Sequence, residues 1–368
     1  MAVLSGKLQA RRKRCEPLAG KSTLNRIEHA SAPEQANRYH RIPHEAGAFE
    51  ALLVDCFIEA HAKPPQEIVL DLDATEDPLH GNQEGRFFHG YYGSYCYLPL
   101  YIFCGEHLLL AKLRPSNIDA AAGSVKQVAW IVAQLRAQWP NVRIILRGDG
   151  GFCRDNLMTW CEENRVDYVF GLAKNKRLIK IIGREMHLAQ QEFQTTGQAA
   201  RQFQDFEYRT QKSWSRARRV VGKAEHLAKG SNPRFVVTSL SAERFAMRAL
   251  YEDLYCARGE MENRIKEQQL YLFADRTSCR TMRANQLRLW LSSAAYVLMQ
   301  ALREHGLKGT PLAAARCDTI RLKLLKIGAI VRVSVRRVWF SLAQSYPYQA
   351  IFRQVFDNLR RWLLPAPA

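Results

Sequence analysis

Acidic residues are scarce in this sequence relative to basic ones. Its 368 residues include 35 Asp and Glu against 54 Lys and Arg, which gives a formal net charge of +19. A cationic surplus of this size favours a polyanionic partner, either nucleic acid or an anionic membrane surface. The apolar content of 47% and the charged content of 24% are typical of a globular protein.

The sequence also lacks a long apolar run. The longest stretch without a formal charge is 87–105, and Gly, Ser, His and Pro residues interrupt it. A membrane-spanning helix needs about 20 predominantly apolar residues. The first residues, MAVLSGKLQARRKR, hold too short an apolar run for a signal peptide. We therefore expect nucleic acid, and not a membrane, as the partner.

Cysteines with metal-binding or redox spacing are absent as well. The nine cysteines are scattered, odd in number and without a C-x-x-C pair. This pattern argues against a disulfide framework and against a zinc knuckle. Cys153 and Cys161 bracket a predicted helix at a spacing that suits no familiar zinc site, so we interpret them as inert thiols. Reduced thiols indicate a cytoplasmic protein.

What the sequence does contain is a succession of apolar strands and helices. The predicted strands are 67–75, 95–105, 107–115, 142–150, 167–173 and 232–240, and the predicted helices are 49–62, 119–140, 154–166, 241–269 and 283–304. Asp119 is the expected N-cap of its helix, and Pro140 the expected stop. Between 174 and 232 a region rich in Lys, Arg, Gln and Ser interrupts the pattern. The predicted fold class is α/β, with a mixed sheet flanked by helices.

The segment VLDLDATEDP (69–78) places carboxylates on a strand otherwise suited to burial. The residues ahead of the acids, 68–70, are branched or large apolar side chains. Because strand side chains alternate, Asp71 and Asp73 share one face. A carboxylate buried without a partner is strongly unfavourable. The two acids therefore either lie where the strand frays into a loop or belong to a site, and this stretch alone favours neither.

Acids also occur where two other predicted elements converge. The strand at 142–148 runs directly into Asp149, and the late helix carries Glu262. In an open α/β sheet the crevice lies at the strand ends, where loops meet. Three carboxylates there would suit Mg²⁺ or Mn²⁺, and two such ions stabilise the attacking and leaving oxygens of phosphoryl transfer. The cations expected to hold a phosphodiester nearby are Arg147, Arg258, Arg264 and Lys266.

Several long segments, in the same order, resemble one family. They include LAGKSTLNRIE (18–28), VLDLDATEDPLHGNQEGRFFHGYYGSYCYLPLYIFCG (69–105), RGDGGFCRDNLMTWCEENRVDYVFGLAKN (147–175), YCARGEMENRIKEQQLYLFADRTS (255–278) and TIRLKLLKIGA (319–329). On these segments the chain resembles a DDE transposase of bacterial insertion sequences, in particular the insertion sequence 1380 group. The resemblance implies a ribonuclease-H-like mixed sheet flanked by helices, with a β-rich insertion before the last catalytic acid.

The resemblance also suggests a division of the chain into five regions. These are an N-terminal helical DNA-binding region (1–66), the first part of a ribonuclease-H-like catalytic core (67–173), the β-rich insertion (174–240), the helical end of the core (241–304) and a basic C-terminal region (305–368). Proteins of this kind usually carry more sequence ahead of AVLSGKL, so we expect the first region to be truncated.

The site residues implied by the resemblance follow its motifs. The first acid lies in an Asp-x-Thr motif, here Asp73, and the second is Asp149 of RGDGG. The third belongs to a Tyr-x2-Arg-x3-Glu signature, matched by Tyr255, Arg258 and Glu262. The three acids are the implied catalytic residues and the implied ligands of two Mg²⁺ or Mn²⁺ ions. The tyrosine and the arginine are implied contacts to DNA.

One position departs from the family pattern. Gln269 stands seven residues after Glu262, where related transposases often carry a Lys. Lys266 lies one helical turn after Glu262 and is the candidate for that phosphate contact. Asp71 has no place in the motif, and we interpret it as a carboxylate that supports the site.

Three other segments admit two interpretations each. Trp214 in SWSRARR (213–219) would either stack on an unpaired base near a cut end or pack within its own subdomain. The basic runs 11–14 and 331–337 would either follow DNA phosphates or form solvated faces. LAGKST (18–23) is similar to a phosphate-binding loop, but Cys15 stands where its first Gly belongs. A capped helix start is the better interpretation of that segment.

The predicted function is that of a DNA transposase. It would cut DNA at the ends of an insertion sequence and join the 3′ ends to target DNA. A metal-dependent nuclease on the same fold, and a DNA-binding protein without catalysis, are the alternatives. The expected partners are double-stranded DNA and, in the DNA complex, a second copy of the chain, and the expected location is the cytoplasm of a bacterium, at the nucleoid.

Overall fold

A computed structural model describes residues 45–363 of the chain. This part of the chain divides into two compact units. The first comprises residues 45–262 together with Thr277–Trp290, and the second comprises Asn263–Arg276 together with residues 291–363. Within these ranges, no helix is both long enough and apolar enough to cross a membrane. The predictions for 11–14 and 18–23 lie outside the described residues.

A mixed β-sheet forms the centre of the first unit. The strands of both units, numbered in chain order, are β1 (Glu67–Ala74), β2 (Asp77–Pro78), β3 (Phe87–His89), β4 (Ser94–Tyr97), β5 (Leu100–Cys104), β6 (His107–Lys112), β7 (Arg143–Gly148), β8 (Asp167–Leu172), β9 (Ala200–Tyr208), β10 (Arg218–Leu227), β11 (Gly230–Ser231), β12 (Arg234–Thr238), β13 (Ala329–Val333) and β14 (Val338–Leu342). Nine of them form one sheet in the order β11-β10-β12-β8-β7-β1-β5-β6, with β9 paired to β10. The parallel strands β1, β7 and β8 lie in the middle, where their apolar runs are buried.

Both units also contain helices. In the order of the chain they are α1 (Ala46–Glu59), α2 (Ser124–Gln138), α3 (Asp155–Glu163), α4 (Lys176–Ile181), α5 (Gly183–Thr196), α6 (Met247–Ala249), α7 (Gly259–Lys266), α8 (Met282–Ala301), α9 (Cys317–Ile320) and α10 (Gln349–Leu363). Between α6 and α7 the chain stays helical through a π-helical segment, Leu250–Tyr255, and a 3-10 turn, Cys256–Arg258. The predicted class, a mixed sheet flanked by helices, is confirmed.

The two faces of the sheet bury different sets of side chains. On one face Leu70 and Leu72 of β1 belong to a large apolar cluster with residues of α1, α2 and α3. On the other face Ile145 of β7 and Val169 of β8 pack with Leu250 of the π-helical segment. Because strand side chains alternate, Asp71, Asp73, Arg147 and Asp149 project from this second face. The late helical segment therefore covers the face that carries the acids.

The segment 174–240 extends the central sheet. It begins with α4 and α5, and the strands β9 to β12 follow. β12 pairs antiparallel with β8, from Phe235 beside Leu172 to Thr238 beside Val169. β10 then pairs with both β12 and β9. The strand predicted at 232–240 is present as β12, and the strands of this segment join the central sheet.

A small antiparallel sheet follows β1. β4 pairs with β2 on one side and with β3 on the other. The hairpin of β3 and β4 turns at residues 90–93 and carries Phe87, Phe88, Tyr91, Tyr92 and Tyr95. Its base is anchored by Tyr97, which is fully buried and donates its hydroxyl to the Glu84 carbonyl. The next hairpin, β5 to β6, turns at Gly105-Glu106 as predicted.

The second unit has its own apolar cluster. The cluster includes Leu307, Cys317, Ile320 and Leu324. The Glu267 carboxylate accepts hydrogen bonds from the Arg303 guanidinium at 2.6 Å and from the Cys317 backbone N–H. The second unit also contains the two-stranded hairpin of β13 and β14, whose side chains are exposed.

Two helices begin later than predicted. The helix expected from residue 241 begins at Met247. The helix expected from Asp119 starts at Ser124, after Gly123 with a φ of 74°. Asp119 instead closes a turn, because its carboxylate accepts from the Ala121 backbone N–H at 2.9 Å and pairs with Arg154 at 2.7 Å. The residues 119–123 are therefore a structured loop.

Candidate active site

The strands β1, β7 and β8 align three site residues in one row. β1 and β7 pair in parallel, with Asp71 beside Arg147 and Leu72 beside Gly148. The next residues in that register are Asp73 and Asp149. The register of β7 with β8 places Gly148 beside Phe170, and the following residue of β8 is Gly171. The carboxyl ends of β1 and β7 thus bring the first two acids together, at the edge of the sheet where the sequence predicts a crevice.

The late helical segment brings the third acid to the same place. Tyr255, Arg258 and Glu262 are spaced by three and four residues, so they lie along one face of the helix. A Cβ atom added to Gly171 would lie 2.5 Å from the Tyr255 hydroxyl and 3.0 Å from the Gly150 backbone nitrogen. The Tyr255 side chain therefore rests directly on the backbone of β8. Only a glycine leaves room for this contact.

Arg258 is the cation of the acid cluster. Its guanidinium donates to Glu262 at 2.7 Å and to Asp73 at 3.4 Å. Its side chain is 18% exposed, so these pairs are only partly solvated. Burial opposes the charged form of this arginine, but Asp73 and Glu262 outweigh that effect and raise the pKa of Arg258. The signature arginine thus links an acid of the sheet to the acid of the helix.

The Asp73 carboxyl has a strongly shifted pKa. Burial raises the pKa of Asp73 to about 6, Arg258 opposes the rise, and the charges of Asp149 and Glu262 add to it. The two negative charges that raise the pKa of Asp73 lie close to it, and such a group of carboxylates gains from a nearby cation. The structure therefore brings the three predicted acids into one electrostatic cluster.

The cluster has the donor chemistry of a divalent metal site. Carboxylate oxygens are the ligands that Mg²⁺ and Mn²⁺ prefer. In the described part of the chain, no group of three or more His, Cys, Asp or Glu side chains is already arranged to hold a metal ion. Arg258 occupies the position between Asp73 and Glu262. The acids fit a divalent cation by charge and donor type, and Arg258 would then have to give up at least one of its two pairs.

Asp71 and Arg147 form a buried ion pair beneath the acids. Arg147 donates to the two oxygens of Asp71 at 2.5 Å and 2.7 Å. Its remaining terminal nitrogen donates to the Leu254 carbonyl at 2.5 Å. The sequence placed Arg147 among the cations around a phosphodiester, and this was wrong, because its side chain is only 9% exposed and faces Asp71. It instead ties the sheet to the residue that precedes Tyr255.

Two other predicted DNA contacts lie outside the acid cluster. Trp214 is 5% exposed and packs edge-on against the Tyr208 ring. The Arg218 guanidinium lies 5.6 Å from the centroid of the Trp214 ring. Trp214 therefore packs within its own subdomain, as one of the two interpretations of the sequence expects. Base stacking by Trp214 stays a prediction, and it requires the loop of Trp214 to open. Lys266 is exposed on α7. Its contact with a phosphate also stays a prediction.

Cys153 and Cys161 pack in the large apolar cluster on the face of the sheet opposite the acids. Burial raises the pKa of the Cys153 thiol to about 12, and burial also raises the pKa of Cys161 well above its usual range. Both thiols are therefore protonated near neutral pH. A protonated thiol is a poor nucleophile and a poor metal ligand.

Two residues that contribute to the site are not indicated by the sequence alone. Gly171 lies in the strand predicted at 167–173, and only the contact with Tyr255 explains the need for a glycine there. Tyr92 donates its hydroxyl to the Ala74 carbonyl at 3.4 Å, one residue after Asp73. The sole signal in the sequence was the run of aromatic residues in RFFHGYYGSYCY (86–97).

A cluster of acids at the strand ends of a mixed α/β sheet, within a strongly cationic chain, is typical of proteins that act on phosphodiesters. A family model described as Transposase DDE domain group 1 matches residues 2–363. Because this match spans nearly the whole chain, the protein belongs to that family of DDE transposases. Among curated proteins, none matches the sequence. Membership implies that the protein binds DNA, and the family generally uses divalent metal ions.

Proposed function

We propose that this protein is an active transposase of the insertion sequence 1380 group, with a ribonuclease-H-like catalytic core. It cuts DNA at the ends of an insertion sequence and joins the 3′ ends to target DNA. The observation that carries the proposal is the convergence of Asp73, Asp149 and Glu262, with Arg258 bridging two of them. A protein that only binds DNA would gain nothing from three carboxylates placed close together, because they repel the DNA phosphates.

The acids would hold two Mg²⁺ ions. When bound, these ions would activate the attacking hydroxyl or water and stabilise charge on the leaving oxygen. Asp73 and Asp149 are supplied by adjacent parallel strands, and Glu262 by the helix that crosses them. This arrangement makes the site depend on the docking of one helix on the sheet, a contact supported by Arg147.

The other site residues would position the DNA backbone. Tyr255 packs on Gly171 with its hydroxyl close to Asp149 and thus borders the cluster. Arg258, once released from one acid, would have a free pair of donors for a phosphate oxygen. Lys266, one helical turn further along, would extend the phosphate contact, as in related proteins with a Lys three residues later. Trp214 would act on an unpaired base only after its loop opens.

Several further features belong to the same proposal. The protein would work in the bacterial cytoplasm at the nucleoid, and two copies would bind the two ends of the element. The region 1–66 would contribute to recognition of the element ends, and the basic region 305–368 to DNA affinity. The strands within 174–240 would represent the family's β-rich insertion, here continuous with the central sheet.

One assay separates the transposase from its two alternatives. The full chain is incubated with DNA that includes the flanks of its gene, with and without Mg²⁺, and cut and joined products are resolved on a sequencing gel. Joined products that require Mg²⁺ support a transposase. Cut ends that are never joined would indicate a nuclease, and binding without either product would indicate a DNA-binding protein.

Matched variants link the assay to the site. Asp149→Asn should abolish both products, because the change removes a negative charge but keeps the shape of the side chain. Asp167→Asn is the control, since Asp167 lies at the opposite end of β8 and pairs with Arg244. Equal activity of the two variants would contradict the assignment of Asp149.

A further inference from the structure

The hairpin of β3 and β4 exposes an unusual number of aromatic rings. Tyr91 is 87% exposed, Phe88 56%, Tyr95 44% and Phe87 42%. Exposed single apolar residues are ordinary, but several large rings on one short hairpin indicate a binding surface. None of these residues takes part in the acid cluster described above.

The tip of this hairpin lies beside the first acid. Tyr92 is half-buried, and its hydroxyl donates to the carbonyl of Ala74, the residue after Asp73. The Tyr92 ring also packs against the neighbouring rings of His89 and Tyr91. Tyr92 anchors the tip to the end of β1.

Tyr91 extends this anchored ring towards solvent. The rings of Tyr91 and Tyr92 are nearly perpendicular, and their centroids are 5.0 Å apart. The ring centroids of His89 and Tyr92 are 4.9 Å apart. The Tyr92 ring thus packs against one side of Tyr91 and leaves most of the Tyr91 side chain exposed. An exposed, supported and planar ring is the geometry of a stacking platform for a nucleobase.

The charges of the hairpin favour nucleic acid as the occupant. On the sheet face that carries Phe88 and Tyr95, the guanidinium of Arg86 lies 3.8 Å from the Tyr95 ring centroid. Arginine on an aromatic ring is a common partner of bases and phosphates in single-stranded binding sites. The whole chain is cationic, with a net charge of +19, which also favours DNA.

We infer that Tyr91, supported by Tyr92, stacks on an unpaired base next to the phosphodiester that the acids cut. The ring would then favour a DNA end with at least one locally unpaired nucleotide over a fully paired duplex. This inference rests on the proposed function, because the acids define where the phosphodiester lies. Bases of a paired duplex are stacked on each other, so the protein gains from the ring only where a base is free.

The test measures binding in EDTA, where no strand is cut. Affinities of the full chain are compared for two duplexes of the same flanking sequence, one fully paired and one with a mismatched pair near the element end. The unmodified chain should prefer the mismatched duplex. Tyr91→Ala should weaken binding to that duplex roughly 5- to 100-fold, the range for loss of one stacked base, and should leave the paired duplex unaffected.

Two further variants serve as controls. Tyr91→Phe keeps the ring and should keep the preference. Leu188→Ala removes an apolar side chain that is 40% exposed on α5, and it should change neither affinity. Because Tyr91 is almost fully exposed, its replacement is expected to leave the thermal unfolding curve unchanged.

The outcomes are distinguishable. Equal binding of both duplexes by the unmodified chain, or an undiminished preference in Tyr91→Ala, overturns the stacking inference and leaves the proposed function standing. Failure to bind either duplex overturns both. A Tyr91-dependent preference in a chain that cuts no DNA would support the platform and contradict only the catalytic proposal.

Discussion

Arg147 is held against Asp71 by two short hydrogen bonds, at 2.5 Å and 2.7 Å, in a buried part of the sheet. The same guanidinium donates to the Leu254 carbonyl. Asp71 therefore orients an arginine that fastens the late helical segment to β7. The segment carries Tyr255, Arg258 and Glu262, so the position of the third acid depends on a carboxylate that is not itself in the cluster.

The two acids of VLDLD should respond differently to the same substitution. Asp71→Asn leaves the buried Arg147 charge without its counterion, and breaking a buried pair in this way costs about 3–5 kcal/mol of unfolding free energy. DNA cleavage should fall roughly 10- to 100-fold, the range for loss of a group that supports metal ligands. Urea unfolding and strand cleavage are measured on the same preparation.

Asp73→Asn should give the opposite pattern. It removes a carboxylate whose pKa is raised to about 6 by burial and by Asp149 and Glu262. Stability should change little, because the loss of the pair with Arg258 is offset by relief of repulsion. Cleavage should disappear while DNA binding persists. An inactive Asp71→Asn beside an active Asp73→Asn would show that Asp71 is the ligand.

The sequence was sufficient for the two strands that lead to Asp73 and Asp149. The apolar runs of β1 and β7 marked both strands, and the acids that follow them marked the strand ends. Helix and strand alternation also indicated the mixed sheet. These features depend on neighbours along the chain, which is why a single sequence reveals them.

Other features depend on contacts between distant residues. Arg147 faces Asp71 only because β1 and β7 pair in one register, and no local pattern encodes that register. The pairing of β12 with β8 joins the strands of 174–240 to the core for the same reason. Locally, Gly123 with its positive φ moved the start of α2 from Asp119 to Ser124.

Arg218 should be a major contributor to stability near Trp214. Its side chain is 2% exposed and pairs with Asp155 at 2.7 Å and Glu162 at 2.6 Å. Arg218→Met would leave both acids short of a partner, and we expect a loss of about 3–5 kcal/mol in unfolding free energy. Chemical denaturation followed by tryptophan fluorescence measures this.

Arg216 provides the matched control for Arg218. It pairs with the same Glu162, at 3.3 Å, but it is 57% exposed. Exposed pairs contribute at most about 1 kcal/mol, so Arg216→Met should have little effect. Equal losses for the two variants would mean that burial of Arg218 does not determine its contribution.

Binding of DNA should weaken steeply with salt. The exposed arginines of the β13–β14 hairpin, Arg332, Arg336 and Arg337, are candidates for phosphate contacts. Each phosphate that is no longer neutralised should reduce the slope of log affinity against log salt by about 0.9. Replacing all three with Gln is compared with Arg248→Gln, whose arginine is exposed but pairs with Glu252. An unchanged slope in the triple variant would mean that the hairpin is a solvated face.

The contact between Gly171 and Tyr255 leads to a prediction of rescue. Gly171→Ala would place its Cβ 2.5 Å from the Tyr255 hydroxyl, which real structures do not tolerate. Either the tyrosine or β8 must move, and overpacking of this kind costs about 1–3 kcal/mol. A displaced Tyr255 would also shift Arg258 and Glu262 on the same helix, so cleavage should fall more than stability alone explains.

Removing the hydroxyl should reverse much of this loss. In the double variant Gly171→Ala with Tyr255→Phe the closest contact is gone. The added Cβ would still lie 3.0 Å from the Gly150 backbone nitrogen and 3.3 Å from the Asp149 carbonyl carbon. Stability should therefore recover in large part. Cleavage should recover only to the level of the single variant Tyr255→Phe. This result separates the steric role of the hydroxyl from any contact that it makes with DNA.

Gly183→Ala, where nothing lies within 4 Å of the added Cβ, is the control. Additive losses in the double variant, with no recovery, would show that the two residues do not interact in the working protein.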